Sequence, residues 1–251
     1  MRSCIVAEEG YTLLSLDASQ IELRVLAILS QDPRMLEDLQ TGDLHQATAT
    51  RMWGWIEDEE LRKRKRYEAK QVNFAIVYGA EAFKVSQMLE CSEEEAEQFM
   101  AEHKEAYPVL YQWMDNKVAE AREQGYVINM FGRIRPLPEL YAGNWKMREK
   151  AEREIVNTLC QGTAVDIVKL AMITLRSLFN RAIRLILQVH DELLWEVPDS
   201  MLGEALSLSK ELIHYFPDYP FSITTGKIYS ELKEVEWESQ KTREYMPDSY
   251  Q

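Results

Sequence analysis

The chain has 251 residues, of which 46% are hydrophobic, and its 29 Lys and Arg against 42 Asp and Glu give a net charge of -13. This length and apolar content can bury one large core or two adjacent ones, whereas the acidic balance repels nucleic acid at long range and argues against a general polyanion binder. Three widely spaced cysteines indicate neither a disulfide framework nor a thiolate metal site.

The sequence contains no recognisable membrane-spanning or targeting segment. The apolar runs are too short and too interrupted to cross a bilayer, and the N-terminus lacks the charged and then apolar layout of a signal peptide. No internal repeat or low-complexity run is present. We therefore expect a soluble, cytoplasmic protein with no membrane partner.

The first predicted element is a short apolar strand, residues 11–16, that ends at Asp17. A helix follows, and Ser19 with Glu22 matches a capping box at its start. A carboxylate at a sheet edge is placed to hold a metal ion, but Asp17 needs a second acid nearby. The simpler interpretation of this segment is structural: Glu22 only satisfies a backbone N–H at the start of the helix.

A short helix is predicted next, after the first helix stops at Asp32 and Pro33. Asp43 caps it, and it runs through His45 to Met52 before Gly54 ends it. A lone histidine on a helix is more often a satisfied surface or core residue than a ligand-binding one.

The densest basic segment of the chain, residues 62–66, lies in a helix predicted from about Asp58 to Val77, with Gly79 at its end. One face carries side chains that recur every four residues: Arg66, Lys70, Phe74 and Tyr78. This row is roughly 18 Å long, about the length of an extended nucleoside triphosphate. Its cations could hold phosphates while its rings stack on sugar and base. The alternative is an ordinary amphipathic helix with a solvated basic edge.

Three further elements precede the second acidic segment. Ser92 and Glu95 form a capping box for a helix that runs to Ala106, and Pro108 opens a helix that runs to Gln124. A small hairpin is predicted around residues 131–133. A long helical pattern then extends from near Trp145 to Asn180, and Gly162 marks the point where a break would fall.

Two apolar runs, residues 185–190 and 193–197, predict a hairpin with Asp191 and Glu192 at its tip. Two adjacent carboxylates between hydrophobic strands are costly unless a cation relieves their repulsion. The alternative is a solvated turn, in which Asp is common, although Asp-Glu is a poor two-residue turn. A last helix, residues 201–215, and a strand, residues 221–225, lead to a polar tail.

Three segments in order resemble the three polymerase motifs of family A DNA polymerases, the bacterial DNA polymerase I group. They are residues 17–24, residues 66–79 and residues 188–192, and residues 43–45 and 161–164 are also similar to family segments. The resemblance covers the chain to about residue 226. It implies an α+β fold, in which a right-hand palm, an antiparallel sheet backed by helices, is joined by a mainly helical fingers subdomain.

The resemblance also implies boundaries and an activity. The palm would comprise residues 1–34 and 151–230, the fingers residues 35–150, and a C-terminal tail residues 231–251. The implied reaction is template-directed addition of deoxynucleotides to a primer 3′-hydroxyl in DNA replication or repair. Asp17, Asp191 and the backbone carbonyl of Ala18 would hold two Mg²⁺ ions, for which Mn²⁺ can substitute. Glu192 would be an outer-shell or transient ligand in the catalytic set.

Substrate contacts follow from the same resemblance. Besides contacting phosphate, Lys70 is a candidate proton donor to the pyrophosphate leaving group. Glu22 would exclude a ribose 2′-hydroxyl and so select deoxynucleotides. The residues implied to contact the deoxynucleoside triphosphate are Gln20, Glu22, His45, Arg66, Lys70, Phe74 and Tyr78. The residues implied to contact primer-template DNA in the minor groove or near the primer end are Arg153, Asn157, Gln161 and His190.

Two departures from the family pattern qualify these expectations. Ala18 stands where the family usually has Tyr, which catalysis should tolerate because the backbone is the ligand. The chain begins almost at the first catalytic strand, so the family's thumb and exonuclease regions are not in it. We therefore expect weak, salt-sensitive and poorly processive DNA binding, with a partner chain supplying thumb or clamp function, or else a fragment or a reduced enzyme.

Two rival functions remain open on the sequence alone. One is a non-catalytic module that binds DNA or a replication partner while retaining the fold. The other is a single-subunit RNA polymerase relative, against which Glu22 and Phe74 count because they match the deoxynucleotide version of the motifs.

Overall fold

The computed structural model describes residues 2–235. The predicted tail, residues 231–251, therefore lies mostly outside the described residues. The helices are α1 (Ile21–Ser30), α2 (Pro33–Leu39), α3 (Leu44–Trp53), α4 (Glu59–Val77), α5 (Ala82–Leu89), α6 (Glu93–Ala106), α7 (Pro108–Gln124), α8 (Trp145–Leu178), α9 (Leu202–Lys210) and α10 (Leu212–Tyr215). The strands are β1 (Tyr11–Ala18), β2 (Tyr126–Ile128), β3 (Ile134–Pro136), β4 (Arg184–Val189), β5 (Glu192–Pro198), β6 (Phe221–Gly226) and β7 (Lys233–Glu234).

The chain divides into two compact units, and the first contains residues 1–19 and 174–251. Within it, β1 is the middle strand of an antiparallel sheet with the order β4-β5-β1-β6-β7. Consecutive β1 residues Leu13 and Leu14 are both fully buried. Because side chains alternate between the faces of a strand, both faces of the sheet are covered at β1. Helix and antiparallel sheet together confirm the predicted α+β class.

The second unit, Gln20–Ile173, contains α1 to α7, the β2–β3 hairpin and most of α8. It has two apolar clusters. One lies among α4, α5 and α6, with buried residues Val72, Ala75, Ile76, Val85 and Ala96. The other lies among α7, the hairpin and α8, with buried residues Ala121, Val127, Leu137, Leu140, Ala151, Ile155 and Leu159.

Local capping chemistry sets the helix boundaries where the sequence signals were strong. The side chain of Asp43 accepts from the backbone N–H of Gln46 at the start of α3, and Asp58 caps α4. Ser92 and Glu95 form both hydrogen bonds of a capping box at α6. These predicted starts are confirmed, as are the hairpins around residues 131–133 and between β4 and β5.

One predicted feature near the start of the second unit is wrong. The N-cap of α1 is Gln20, in a left-handed backbone conformation without a side-chain cap, so Ser19 does not begin that helix with a capping box. The predicted stop of the first helix at Asp32 and Pro33 is confirmed, since α1 ends at Ser30. The short helix α2 was not predicted, and Asp32 is the residue that begins it. Its side chain caps α2 by accepting from the backbone N–H groups of Arg34 and Met35, and it also accepts from Leu110, 3.0 Å away on α7.

Further corrections concern helix continuity. α8 runs without a break through Gly162. The next two residues, Thr163 and Ala164, are buried, and their packing outweighs the cost of about 1 kcal/mol for a glycine inside a helix. α5 was not predicted. The last predicted helix is divided at Glu211 into α9 and α10.

Among the described residues, α8 is one helix long and apolar enough by length and composition to cross a membrane. Half of its most apolar window is buried inside the protein. Core helices of soluble proteins pass the same test, and Ile155 and Leu159 of α8 belong to an apolar cluster of the second unit.

Gly79, which follows α4, generates a stability prediction. Its φ is +61°, and a Cβ atom added there would lie 2.9 Å from the Cβ of Arg153. Gly79→Ala therefore adds a close contact to backbone strain, and we expect a loss of about 2–4 kcal/mol in the free energy of unfolding by urea denaturation.

Gly132 is the matched control for this substitution. Its φ is +78°, but no heavy atom lies within 4 Å of an added Cβ. Gly132→Ala should therefore cost only the strain, about 1 kcal/mol. Equal losses in the two variants would show that the contact with Arg153 contributes nothing.

Candidate active site

The first group of predicted site residues lies at the end of β1 in the first unit. Antiparallel pairing places Asp17 opposite Glu192 of β5, and the backbone N–H of Ala18 donates to the carbonyl of Asp191 at 3.1 Å. Strand pairing thus brings together the two acidic segments, which are far apart in the sequence.

The hairpin that carries the second acidic segment turns through His190 and Asp191. His190 has a φ of +54°, a left-handed conformation for which histidine is among the more tolerant residues. Glu192 is already in β5, where it pairs with Val189. The prediction that both acids form the tip is therefore wrong for Glu192. The turn consists of His190 and Asp191.

The carboxylate of Asp17 is in an unfavourable environment for a negative charge. Burial raises its pKa, and the nearby charges of Asp191 and Glu192 raise it further, to about 6, while Arg2 lowers it in part. Such crowding of acids is what a bound cation would relieve.

Glu192 is held by hydrogen bonds to both carboxylate oxygens. Oε1 accepts from Ser15 at 2.6 Å, and Oε2 accepts from Tyr229 and from Arg2. The side chain is only 8% exposed at the residue level. Sequence reasoning missed Ser15, Tyr229 and Arg2, because no motif spacing connects these residues with Glu192.

The donor set at this edge fits one class of metal. Asp17 and Asp191 offer oxygen ligands, and residues 2–235 contain no group of three or more His, Cys, Asp or Glu arranged to hold a metal ion. Mg²⁺ uses one or two carboxylates and completes its octahedron with water and substrate phosphates. The residues therefore fit Mg²⁺ shared with a phosphate substrate, and they do not form a closed structural site.

The second group of predicted residues lies in the second unit, along one face of α4. Lys70 is exposed, and its Nζ lies 5.9 Å from the centre of the Phe74 ring. The ring of His45, on α3, lies 5.7 Å from the same ring. The structure thus gathers the cationic and aromatic residues of this face and adds His45 to them.

Asp43 joins α3 to α4 with its two oxygens. Oδ1 caps α3, and Oδ2 accepts from Nε of Arg66 at 2.7 Å. Burial alone would raise the pKa of Asp43, but the hydrogen bonds from Arg66 and Gln46 lower it. Arg66 remains 40% exposed, so its guanidinium keeps access to solvent.

The basic segment, residues 62–66, is not a free cationic patch. Arg62 lies over the Trp55 ring, Lys63 pairs with Glu59 and Glu60, and Arg64 and Lys65 both pair with Glu68. Every cation of the segment therefore has a partner inside the protein, which favours the view that most of it is a structural helix face.

Further predicted site residues lie at the end of α4, at the start of α1 and along α8. The hydroxyl of Tyr78 lies 3.4 Å from Oε2 of Glu22, so the structure brings together two residues predicted to meet the sugar and base. Arg153, on α8, forms ion pairs with Glu81 and Glu149. Asn157 and Gln161 follow Arg153 at four-residue spacing along the same helix.

A buried polar cluster formed by residues of α3, α4 and α6 was not predicted. Nδ2 of Asn73 lies 3.2 Å from Nδ1 of His45 and 3.1 Å from Oγ1 of Thr48. Oδ1 of Asn73 lies 2.8 Å from Nε2 of His103. Burial, followed by the charge of Arg66, lowers the pKa of His45 to about 4, and burial lowers that of His103 to about 3. Both rings are therefore neutral at pH 7.

Comparison with known families shows which proteins have these segments in this order. The family model described as DNA polymerase family A matches residues 1–226. The chain belongs to DNA polymerase family A. The match includes both acidic segments and all of α4.

Individual family A relatives agree with this assignment. DNA polymerase I, thermostable, of Thermus thermophilus is 41% identical over 225 residues, which is 89% of this chain and 27% of the relative. DNA polymerase I of Streptococcus pneumoniae is 41% identical over 216 residues, 84% of this chain and 25% of the relative. The chain thus spans about a quarter of the length of these curated relatives.

A solved family A structure has the same fold. The POL domain of Pol1 from M. smegmatis, in complex with DNA primer-template and dNTP, superposes with a TM-score of 0.81 and is 37% identical. The match covers 91% of this chain and 42% of that chain.

The buried histidines generate a prediction about pH. The unfolded chain binds a proton at His103 below its ordinary pKa of 6.5, whereas the folded protein does so only near pH 3. The unfolded state therefore binds more protons as the pH falls through this window, and the free energy of unfolding falls with it. His103 alone should account for about 2 kcal/mol of loss at pH 5.

His103→Gln should reduce the decrease in unfolding free energy between pH 7 and pH 5 by about this amount, measured by urea denaturation at each pH. His214→Gln removes a histidine whose side chain is 74% exposed and is the matched control, for which we expect the wild-type pH dependence. A wild-type dependence in His103→Gln would contradict the assignment of a buried, neutral ring.

Proposed function

We propose that this family A chain catalyses template-directed DNA synthesis by adding deoxynucleotides to a primer 3′-hydroxyl. The observation that carries the proposal is the meeting of Asp17 with the Asp191 segment at the end of β1. The M. smegmatis relative, described with primer-template DNA and dNTP, supports the same substrates for this chain.

Asp17, Asp191 and the carbonyl of Ala18 would hold two Mg²⁺ ions. When bound, these ions would lower the pKa of the attacking hydroxyl and neutralise charge on the pyrophosphate leaving group. Their charge would also favour the ionised form of Asp17, whose pKa is otherwise raised to about 6. Ser15 and Tyr229 hold Glu192, which we propose positions the β5 end of the site and is not itself a metal ligand.

The exposed face of α4 is proposed to bind the triphosphate. Arg66 and Lys70 would contact its phosphates, and Lys70 would donate a proton to the leaving pyrophosphate. Phe74 would pack on the sugar, and Tyr78 would lie near the templating base.

Sugar selection is proposed for the start of α1. Glu22, within 3.4 Å of the Tyr78 hydroxyl, would occupy the space that a 2′-hydroxyl needs. Gln20, which begins α1 in a left-handed conformation, would border the same triphosphate.

Duplex contacts are proposed for one face of α8 and for the β4–β5 turn. Arg153, Asn157 and Gln161 would donate to the minor-groove acceptors that every correct base pair presents, and His190 would lie near the primer end. Because the chain carries a net charge of -13 and its basic segment is internally paired, we expect weak and salt-sensitive DNA binding. A separate chain that supplies thumb or clamp function would then increase processivity.

The palm and fingers boundaries are part of this proposal. Residues 1–34 and 151–230 would form the palm, and residues 35–150 would form the fingers. The two compact units divide near residues 19 and 173, whereas the proposed subdomains divide near residues 34 and 150.

Asp191→Asn should abolish primer extension with Mg²⁺ and four deoxynucleotides at low salt, with a loss of at least about 10³-fold in rate, because it removes a metal-ligating charge. Asp218→Asn, which removes an exposed acid, is the control and should extend the primer like wild type. Background incorporation by all three proteins would contradict catalysis and favour a non-catalytic DNA-binding module. Preferential use of ribonucleotides by wild type would favour an RNA polymerase.

Lys70→Ala should slow single-nucleotide incorporation by about 10²-fold or more, because a proton donor and phosphate contact are lost. Its affinity for primer-template DNA should stay within about twofold of wild type, as measured by fluorescence anisotropy. Lys84→Ala, another exposed lysine in the second unit, should change neither quantity. Equal losses of incorporation and DNA affinity in Lys70→Ala would place Lys70 on the duplex instead of the triphosphate.

A further inference from the structure

We propose that Asn73 is a positioning residue that holds His45 as the Nε2-protonated tautomer, so that His45 presents an N–H donor to the triphosphate. The triphosphate contact rests on the proposed function, whereas the tautomer follows from the hydrogen bonds behind α4. The direction of each of these bonds can be assigned from a charged acceptor at one end of the network.

The starting point is the ion pair of Asp38 and Arg51. Nε of Arg51 donates to Oδ2 of Asp38 at 2.6 Å, so Asp38 is a carboxylate that only accepts. The hydroxyl of Tyr107 lies 2.7 Å from the same oxygen. Its single proton must point at Asp38, and Tyr107 then has only an acceptor to offer its other neighbour.

That neighbour is Thr48. Oγ1 of Thr48 lies 3.0 Å from the Tyr107 hydroxyl and 2.8 Å from the carbonyl of Leu44. Both positions can only accept, so the single Thr48 proton is used on one of them. Towards Asn73, at 3.1 Å, Thr48 is therefore an acceptor.

This assignment fixes the orientation of the Asn73 amide. The amide NH₂ group must face Thr48, and the same nitrogen lies 3.2 Å from Nδ1 of His45. Nδ1 must then accept, which leaves the proton of a neutral imidazole on Nε2. The lowered pKa of His45 agrees with a neutral ring.

The other end of the amide is consistent with the same orientation. Oδ1 of Asn73 accepts from Nε2 of His103 at 2.8 Å, and Nδ1 of His103 can accept from the Tyr111 hydroxyl at 3.2 Å. Asn73, Thr48 and His103 are at most 1% exposed, so water does not compete for these bonds. An inverted amide would place its NH₂ against Nε2 of His103 and leave Thr48 facing a third acceptor.

The tautomer matters because of what surrounds the ring. The Phe74 ring lies 5.7 Å from that of His45, and the charged groups that act on it are Arg66, Lys70 and Asp43. With the proton on Nε2, the His45 ring adds an N–H donor for a phosphate oxygen beside the cations Arg66 and Lys70. With the proton on Nδ1, a lone pair would replace that donor and repel phosphate oxygens.

The first test is a ¹⁵N NMR measurement of histidine tautomers in the wild-type full chain, with His45 assigned by comparison with His45→Gln. We expect a neutral ring with the proton on Nε2 at pH 7. A ring with the proton on Nδ1, or a charged ring, would overturn the proposal without any assay of synthesis.

The second test uses Asn73→Asp, which replaces the amide NH₂ with an acceptor oxygen. We expect the His45 proton to move to Nδ1 or the ring to become charged, and we expect the KM for deoxynucleotide to change at least about tenfold while primer-template affinity stays within twofold. His103→Gln can still donate to Oδ1 of Asn73 and should keep the wild-type tautomer and KM.

A purely structural role of Asn73 is separated by a double-mutant cycle. In a His45→Gln background, Asn73→Asp should produce no further change in KM, because its effect passes through the ring. Additive effects would overturn the positioning role. If Asn73→Asp does not fold, Thr48→Val provides the second variant, since it removes the acceptor that orients the Asn73 amide and should give a mixture of tautomers. Absence of synthesis by wild type would contradict the proposed function, and the NMR result would still decide the tautomer.

Discussion

The candidate site depends first on the register between β1 and β5. This register places Asp17 opposite Glu192 and Leu16 opposite Leu193, so the buried leucines and the acids are fixed by the same ladder. A slip of one residue would move Asp17 away from Glu192 and Leu16 away from Leu193, so both pairings would be lost together. Burial of the apolar run therefore forces the acids to the strand end, although their mutual repulsion opposes it.

The protein offsets this repulsion unequally among the acids. Glu192 receives hydrogen bonds from Ser15, Tyr229 and Arg2, whereas Asp17 keeps a pKa raised to about 6. The remaining electrostatic cost is concentrated on Asp17, which is where a divalent cation would contribute most.

Local signals predicted much of the fold. The caps at Asp43 and Ser92, the helix start near Asp58 and the β4–β5 hairpin could be predicted because they rest on contacts within a few residues. The continuity of α8 through Gly162 could not be predicted in this way, because tertiary packing keeps the helix continuous there. In the candidate site, motif order predicts the acids and the face of α4. The partners of Glu192 and the polar cluster around Asn73 depend on contacts between distant segments, which motif order does not contain.

The same distinction between local and distant contacts explains how an acidic chain can present a cationic face. Along α4, the run of positive charge at residues 62–66 looks like a polyanion patch, but carboxylates on α4 itself and on α3 neutralise most of it. Lys70 is exposed beyond this paired region, beside Phe74 and the neutral ring of His45. A short phosphate chain can reach such a localised charge, whereas a long polyanion would also meet the surrounding acids. The charge pattern is therefore one reason to propose a small, highly charged ligand on α4 and weaker polar contacts to a duplex.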